Sequence, residues 1–309
     1  MFIISLVVFF LSVRIPESRL EAICEDVNFQ DGTDCLNTLK HELSLDKTIY
    51  QHYWNWTTGM LTGDFGQSIW TSRYLINDFA QRLPVTFTLL LLSFIFSQVI
   101  SLPLGLLASV LHSKVALIVS RIIELIFTSV PIFWLTTLMI LFPSWFWSPP
   151  QKYVNFSADP LGNLKLLVVP SMVLGLYISG IILSNYLQVF SEVQNMNYIR
   201  TASSKGLRKR IVFMRHGFRN ALVPSLKRFA ALLPFTLSII ILVEGTIALP
   251  GVSRLFIQAI DMRDFPIIAG TLFILACFCL VVFQLTVLVC AWLDPRLRHS
   301  DLQQPTEYL

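Results

Sequence analysis

The sequence predicts an all-α polytopic membrane protein: six transmembrane helices, a long polar segment after a short first span, and a basic loop between the fourth and fifth. Three observations carry this. Apolar residues make up 54% of the chain and charged ones only 14%, where soluble domains carry roughly a quarter charged residues. The apolar residues gather into runs of the ~20 residues a helix needs to cross a hydrocarbon core. Lys and Arg, in contrast, concentrate in one stretch near residue 210.

Residues 1–13 are apolar but few, and Arg14 follows directly. Neither a basic start nor a small-residue cleavage site is present, so the run reads as the outer part of a first span and not as a signal peptide. Such a span is either short or begins upstream of Met1. Residues 14–84 are too polar for a span. Apolar patches at 39–45 and 49–56, followed by Gly59 and Gly63, suggest two short helices ending in a turn. The remaining spans are expected at 85–111, 122–142, 166–190, 229–249 and 267–293, with Glu124 in the third and Glu244 in the fifth. Together 85–293 form the core, with an inner loop at 191–228, an outer segment at 247–266 and a tail at 294–309. Trp54, Trp56, Trp70 and the Trp145-Phe146-Trp147 group suit the membrane interface, where indoles are favoured.

Charge sets the orientation. Arg200, Lys205, Arg208, Lys209, Arg210, Arg215, Arg219, Lys227 and Arg228 face only Glu192 in the inner loop, and cytoplasmic loops hold such an excess. Alternation then puts 14–84 outside, where six basic residues meet ten acidic ones. Both termini are expected in the cytoplasm. Basic residues beside spans do not form the soluble face that nucleic-acid binding needs.

Cys24 and Cys35 fall in the outer segment, where the compartment allows a disulfide; two free thiols are the alternative. Cys277, Cys279 and Cys290 lie in an apolar run and read as small hydrophobes. No metal spacing, nucleophile motif or phosphate-cradling glycine loop is present, so neither catalysis nor a bound cofactor is expected. Energy for active transport would come from a partner or an ion gradient. A carboxylate within a span faces the bundle interior or a watery path. Glu124 and Glu244 can also be placed near span ends, where interface exposure relieves the cost, and a structural role is preferred to substrate contact. Pro103, Gly105 and Pro131 are candidates for helix breaks or kinks.

The inner loop reads as a short helix of small and polar residues stopped at Gly206, since glycine just past a helix supplies the left-handed conformation that ends it. Pro224 is then expected to open the next span. Ala202, Ser203 and Ser204 would let another protein approach the backbone closely. A charge run that only sets orientation is the bland alternative.

The run Tyr198-Ile199-Arg200-Thr201-Ala202-Ser203-Ser204-Lys205-Gly206-Leu207, followed by Arg215-His216 and Asn220-Ala221-Leu222-Val223-Pro224, resembles the cytoplasmic signature of binding-protein-dependent ABC-transporter permeases of the dipeptide/oligopeptide/nickel group. The resemblance extends through Leu83-Pro84-x-Thr86, Pro103-Leu104-Gly105, Ser129-x-Pro131-x-Phe133-Trp134, Glu244 with Pro250-Gly251-x-x-Arg254, Arg263-Asp264-Phe265-Pro266 and Asp294-Pro295-Arg296-x-Arg298. Gly63-Asp64-Phe65-Gly66-x-Ser68 is similar to the first of the two permeases in such systems. Ser203-Ser204, Ile247 and Ser253 depart from the group's common residues.

The resemblance implies the type I ABC importer permease architecture. It also implies that a coupling helix over 198–206, with Tyr198, Arg200, Thr201, Ala202, Ser203, Lys205, Gly206 and Leu207, docks on a partner ATPase. The partners would be a second homologous permease, two ABC ATPases holding ATP and Mg, and an extracytoplasmic solute-binding protein, all at the bacterial inner membrane. Pro103, Pro131, Glu244, Pro250 and Gly251 become pathway or gate candidates. Peptides are the leading solute, with nickel, haem or antimicrobial peptides within the same group. A gradient-driven secondary transporter is a second class, which would call for ionisable residues at mid-span and inverted repeats, and a membrane scaffold or sensor with no pathway is a third.

Overall fold

The computed structural model describes residues 6, 9–10, 48–141, 153, 158–204 and 209–293. Eleven α-helices occur among them: α1 (Ile49–Thr62), α2 (Leu75–Ser109), α3 (Lys114–Ser129), α4 (Ile132–Leu141), α5 (Pro160–Gln194), α6 (Asn197–Ser204), α7 (Lys209–Val212), α8 (Phe218–Ala231), α9 (Leu233–Ile247), α10 (Val252–Met262) and α11 (Phe265–Leu293). A single π-helical turn, Phe213–Gly217, joins α7 to α8. The described residues contain no β-strand beyond an isolated bridge between Gln67 and Tyr74. The protein is an all-α polytopic membrane protein.

Helices α2, α5 and α11 are each long and apolar enough to cross a bilayer. The pairs α3–α4 and α8–α9 reach that length only together, bent by 92° and 48°, which brings the spans to as many as five among the described residues. Their positions match the five expected runs, but two of those runs are not single helices. The run 122–142 is broken at Val130 and Pro131, because proline cannot continue the hydrogen-bond ladder. The run 229–249 is broken at Leu232, just before Pro234 in the first turn of α9. Pro224 does not open a span; it sits inside α8. Pro103 and Gly105 break nothing, since α2 runs through them. The expected first span at 1–13 and the patch at 39–45 lie largely or wholly outside the described residues, as do Cys24, Cys35, the tryptophans at 145 and 147, and the tail.

Local chemistry sets the helix ends. The Ser113 side chain accepts from the Ala116 amide (3.2 Å) and starts α3. The Asp159 carboxylate accepts from the Gly162 amide (2.9 Å), with Pro160 in the first turn, and starts α5. Gly63, at φ 94°, ends α1 one turn beyond Gly59, which remains helical.

The chain forms two compact units, Met1–Pro84 with Pro250–Phe278, and Val85–Leu249 with Cys279–Leu309. The second is organised around α5, against which α2, α3, α4 and α8 all pack. Small residues make this possible. Ser171, Gly175 and Ser179 repeat every four residues on α5, and Ser93, Ser97 and Ser101 do the same on α2; all but Gly175 are fully buried polar residues and Gly175 is buried too. The Ser101 hydroxyl donates to the Ser179 carbonyl across the seam (3.1 Å). A Cβ on Gly175 would lie 2.6 Å from the Phe96 Cβ and 2.9 Å from the Ser93 carbonyl oxygen. On another face of α5, a Cβ on Gly180 would stand 3.3 Å from the Phe127 Cβ of α3. Lipid tails are as apolar as Leu, so in a membrane such close backbone approach supplies the packing that association needs.

Towards the C-terminal end of α5, Tyr186 stacks on Phe190 with ring centroids 5.0 Å apart, and its hydroxyl donates to Gln98 Oε1 at 2.6 Å. Phe190 meets Phe213 of the π turn edge-on at 5.4 Å. A Cβ on Gly105 would stand 3.0 Å from the Tyr186 Cβ. Gly175→Ala should cost about 1–3 kcal/mol through overpacking against backbone, seen as a lower Tm of the detergent-solubilised protein. Gly105→Ala, whose nearest contact would be 3.0 Å and not 2.6 Å, should lower it less.

Candidate functional site

The basic loop begins where α5 ends. The Asn195 amide donates to the Glu192 carbonyl (3.1 Å), the Met196 amide to Val193 (3.2 Å), and the chain turns into α6 with the Ile199 and Arg200 amides on the Met196 carbonyl (3.0 and 3.2 Å). Eight residues are too few for a helix to persist by propensity, so α6 depends on its tertiary contacts. Ile199 is buried, and α6 packs against the end of α5, α7 and the π turn.

At 100° per residue Asn197, Arg200, Thr201 and Ser204 share the opposite face, and all four are exposed, with Tyr198 at its edge. Ala202 and Ser203 are half-buried on the Ile199 side. Of the three small residues expected to allow a close approach, only Ser204 is on the exposed face. Its hydroxyl and that of Thr201 fold back onto their own helix, Thr201 Oγ1 donating to the Asn197 carbonyl (3.0 Å) and Ser204 Oγ to that of Thr201 (2.8 Å). The result is a low surface with Arg200 as its charge. Lys205, Gly206, Leu207 and Arg208 lie outside the described residues.

Polar contacts tie this loop to the helices behind it. Gln194 Nε2 donates to the Ser109 carbonyl at the end of α2 (2.9 Å). Arg228 of α8 reaches α5, donating to Asn185 Oδ1 (2.8 Å) and Gln188 Oε1 (3.3 Å), with Glu192 Oε1 at 3.8 Å. Gln188 in turn donates to Glu192 Oε1 (2.9 Å). Arg219 donates to the Leu293 carbonyl at the end of α11 (3.2 Å). Two of the loop's basic residues, Arg219 and Arg228, thus have specific partners beyond any role in orientation.

In the other unit, two motifs nearly two hundred residues apart come together. The Ser68 hydroxyl donates to Asp264 Oδ2, and the Ile69 amide approaches Asp264 Oδ1 at 3.4 Å. Ser68 Oγ also accepts from the Thr71 amide (3.1 Å), and the Trp70 indole donates to the Met262 carbonyl (3.0 Å). Gly66, at φ 85°, lets the chain turn there, and Gly270 lies so close to Leu75 and Phe65 that a Cβ would come within 2.6 Å of the Phe65 carbonyl oxygen. Burial pushes the Asp264 carboxyl above its ordinary range; the Ser68 hydroxyl and the Ile69 and Ile267 amides oppose this. The sequence displayed both motifs but no local signal that they pair.

The gate candidates fall on separate elements. Pro103 is exposed on unbroken α2, and Pro131 is exposed at the α3–α4 break. Glu244 lies in the last turn of α9 and is fully buried, so the expected relief by interface exposure does not apply. Pro250 and Gly251 precede α10, with Gly251 buried. Glu124 is paired with Arg121 at 2.7 Å, one turn earlier on α3. Among the described residues no three His, Cys, Asp or Glu side chains group as metal ligands would.

Helices of membrane-crossing length, several of them packed on α5, with a short exposed helix at its end, define a polytopic membrane protein. Residues 101–299 match the family described as the inner membrane component of binding-protein-dependent transport systems, and residues 1–90 match the N-terminal region of such membrane components. The chain belongs to this family of transport-system permeases. It is 31% identical over 302 residues to a candidate peptide transport system permease protein of Brucella abortus (strain 2308), covering 97% of this chain and 95% of that one. A protein of the same description from Brucella suis biovar 1 (strain 1330) has the same identity and coverage. The glutathione transport system permease protein GsiC of Escherichia coli (strain K12) is 25% identical over the same shares.

A carboxyl raised by folding stabilises the protein fully below the unfolded carboxylate range, and this contribution is lost as pH rises through the folded value. Relative to Asp264→Asn, the wild-type protein should therefore lose Tm as pH rises above about 4, the unfolded carboxylate range. Ser68→Ala, which removes a hydroxyl that favours the ionised carboxylate and also strands the Thr71 amide, should cost about 1–3 kcal/mol, more at higher pH than at lower. Thermal melting across that pH range checks both.

Proposed function

We propose that this chain is a permease subunit of an ATP-driven importer for peptides at the bacterial inner membrane, with α6 as the element that receives the ATPase. The observation that carries the reading is the form of the loop after α5. A short helix, anchored by one buried isoleucine, turns a low polar face outward directly beyond the most enclosed helix of the core. Family membership supports the transport role, and the names of the relatives support peptides or small thiol peptides as the solute.

In this reading a homologous second permease completes the pathway, two ATPase subunits bind and hydrolyse ATP, and an extracytoplasmic binding protein delivers the solute. This chain itself performs no hydrolysis. Both termini and α6 face the cytoplasm, as the Lys and Arg distribution requires. ATP-driven approach of the ATPases moves α6, and the Arg228 contacts with Asn185 and Gln188 carry that displacement to α5 and α8 together. Alternating access of this kind needs rigid elements with two discrete arrangements. The tightly packed α5 seam supplies the rigidity.

Thr201→Trp and Ser204→Trp place bulk on the outward face of α6 without touching Ile199. Each should abolish peptide uptake by cells and co-purification of the ATPases while leaving the Tm of the chain unchanged. Uptake at the wild-type rate in both variants would refute the coupling role of α6.

A further inference from the structure

Helix α1 carries more apolar surface than its packing uses. One side is occupied: Tyr53 and Trp56 meet the Phe9 ring at centroid distances of 5.1 and 5.9 Å, Trp56 meets Phe273 edge-on at 5.8 Å, and Met60 is buried. Tyr50, Trp54 and Leu61 fall within about 40° of one another around the helix, and they are 87%, 69% and 75% exposed. Beside this stripe runs a polar one of Gln51, Asn55, Thr58 and Thr62. The helix thus has three sectors, of which the second is apolar and, among the described residues, uncovered.

We propose that α1 lies in the membrane–water interface, with Tyr50, Trp54 and Leu61 inserted among lipid acyl chains and headgroups. Depth is the first argument. Phe273 is eight residues into α11, about 12 Å along that helix from its start at Phe265, so Trp56 touches a spanning helix well below its end. Phe9, the other partner on that side, belongs to the apolar run at the start of the chain. A helix held against two apolar segments at that depth presents its free stripe to lipid. Composition is the second argument. Ile49–Thr62 contains no Asp, Glu, Lys or Arg, and Tyr and Trp are the residues favoured at bilayer interfaces.

The structure also separates tryptophans that composition treated alike. Trp56 is committed to aromatic packing and Trp70 to the Met262 carbonyl, which leaves Trp54 as the interfacial anchor in this segment. The inference is independent of any ATPase.

Fluorescence of the assembled transporter in nanodiscs tests it, with the Trp54 signal isolated as wild type minus Trp54→Phe. The Trp54 component should be lost in nanodiscs made with lipids brominated near the carbonyl end of the acyl chain and should resist aqueous iodide. Asn55→Trp in the Trp54→Phe background moves the indole onto the polar stripe and should reverse the pattern. Quenching of the Trp54 component by iodide would overturn the proposal by placing the stripe in water. Protection from both quenchers would overturn it by placing a protein partner there. Since both substituted positions are exposed, Tm should be unchanged.

Discussion

The close approach at Gly175 is the constraint on which the membrane core depends. There is no room for a methyl group between α5 and the α2 backbone at Ser93 and Phe96. Serines one turn to either side on both helices keep the seam narrow over its length. In water, apolar burial could hold two such helices with larger side chains. In lipid it cannot, and interhelical distance itself sets the dispersion energy and the hydrogen bond from Ser101 to Ser179. With α2 on one face, α3 on another at Gly180 and α8 towards its end, α5 has little freedom to move separately. Whatever displaces its C-terminal end displaces the group.

That end is where the polar chemistry gathers. Arg228, Asn185, Gln188 and Glu192 form a connected set on α5 and α8, and Gln194 holds the end of α2. The Arg228–Glu192 pair is half-exposed and adds little stability by itself. Its importance lies in direction, because a planar guanidinium bridging two carbonyl-type acceptors on α5 fixes how α8 is turned. The π turn between α7 and α8, filled by Phe213 against Phe190, adds the irregular geometry that such turns bring to functional sites. Ser68 and Asp264 show the same economy in the other unit, where one buried carboxyl joins two motifs.

Much of the architecture was legible because hydrophobic run length is a local property. The five long runs located three spanning helices and two bent helix pairs, and the excess of Lys and Arg marked the loop that holds α6. What was not legible is non-local or depends on angle. Pro131 was an obvious break candidate, yet nothing in the sequence fixes a 92° turn there instead of a kink, while Pro103 and Pro224 are accommodated inside helices. The small-residue seams were readable as four-residue spacings of Ser and Gly on α2 and α5, a signal overshadowed by the more conspicuous prolines. The pairing of Ser68 with Asp264, and of Arg228 with Asn185, required the fold. Glu244 does sit in the last turn of α9, but sequence position near a span end does not report enclosure, and its burial required the fold.

The central claim is that α6 is the surface through which an ATPase acts on the α5-centred core. The most direct measurement is crosslinking in the assembled transporter with a short bis-maleimide, using Thr201→Cys on the outward face and cysteines introduced along the ATPase. The account predicts a crosslinked product of this chain with an ATPase subunit, with a yield that changes when ATP is bound. Crosslinking only to the second permease, or none at any ATPase position while the complex remains intact, would contradict it.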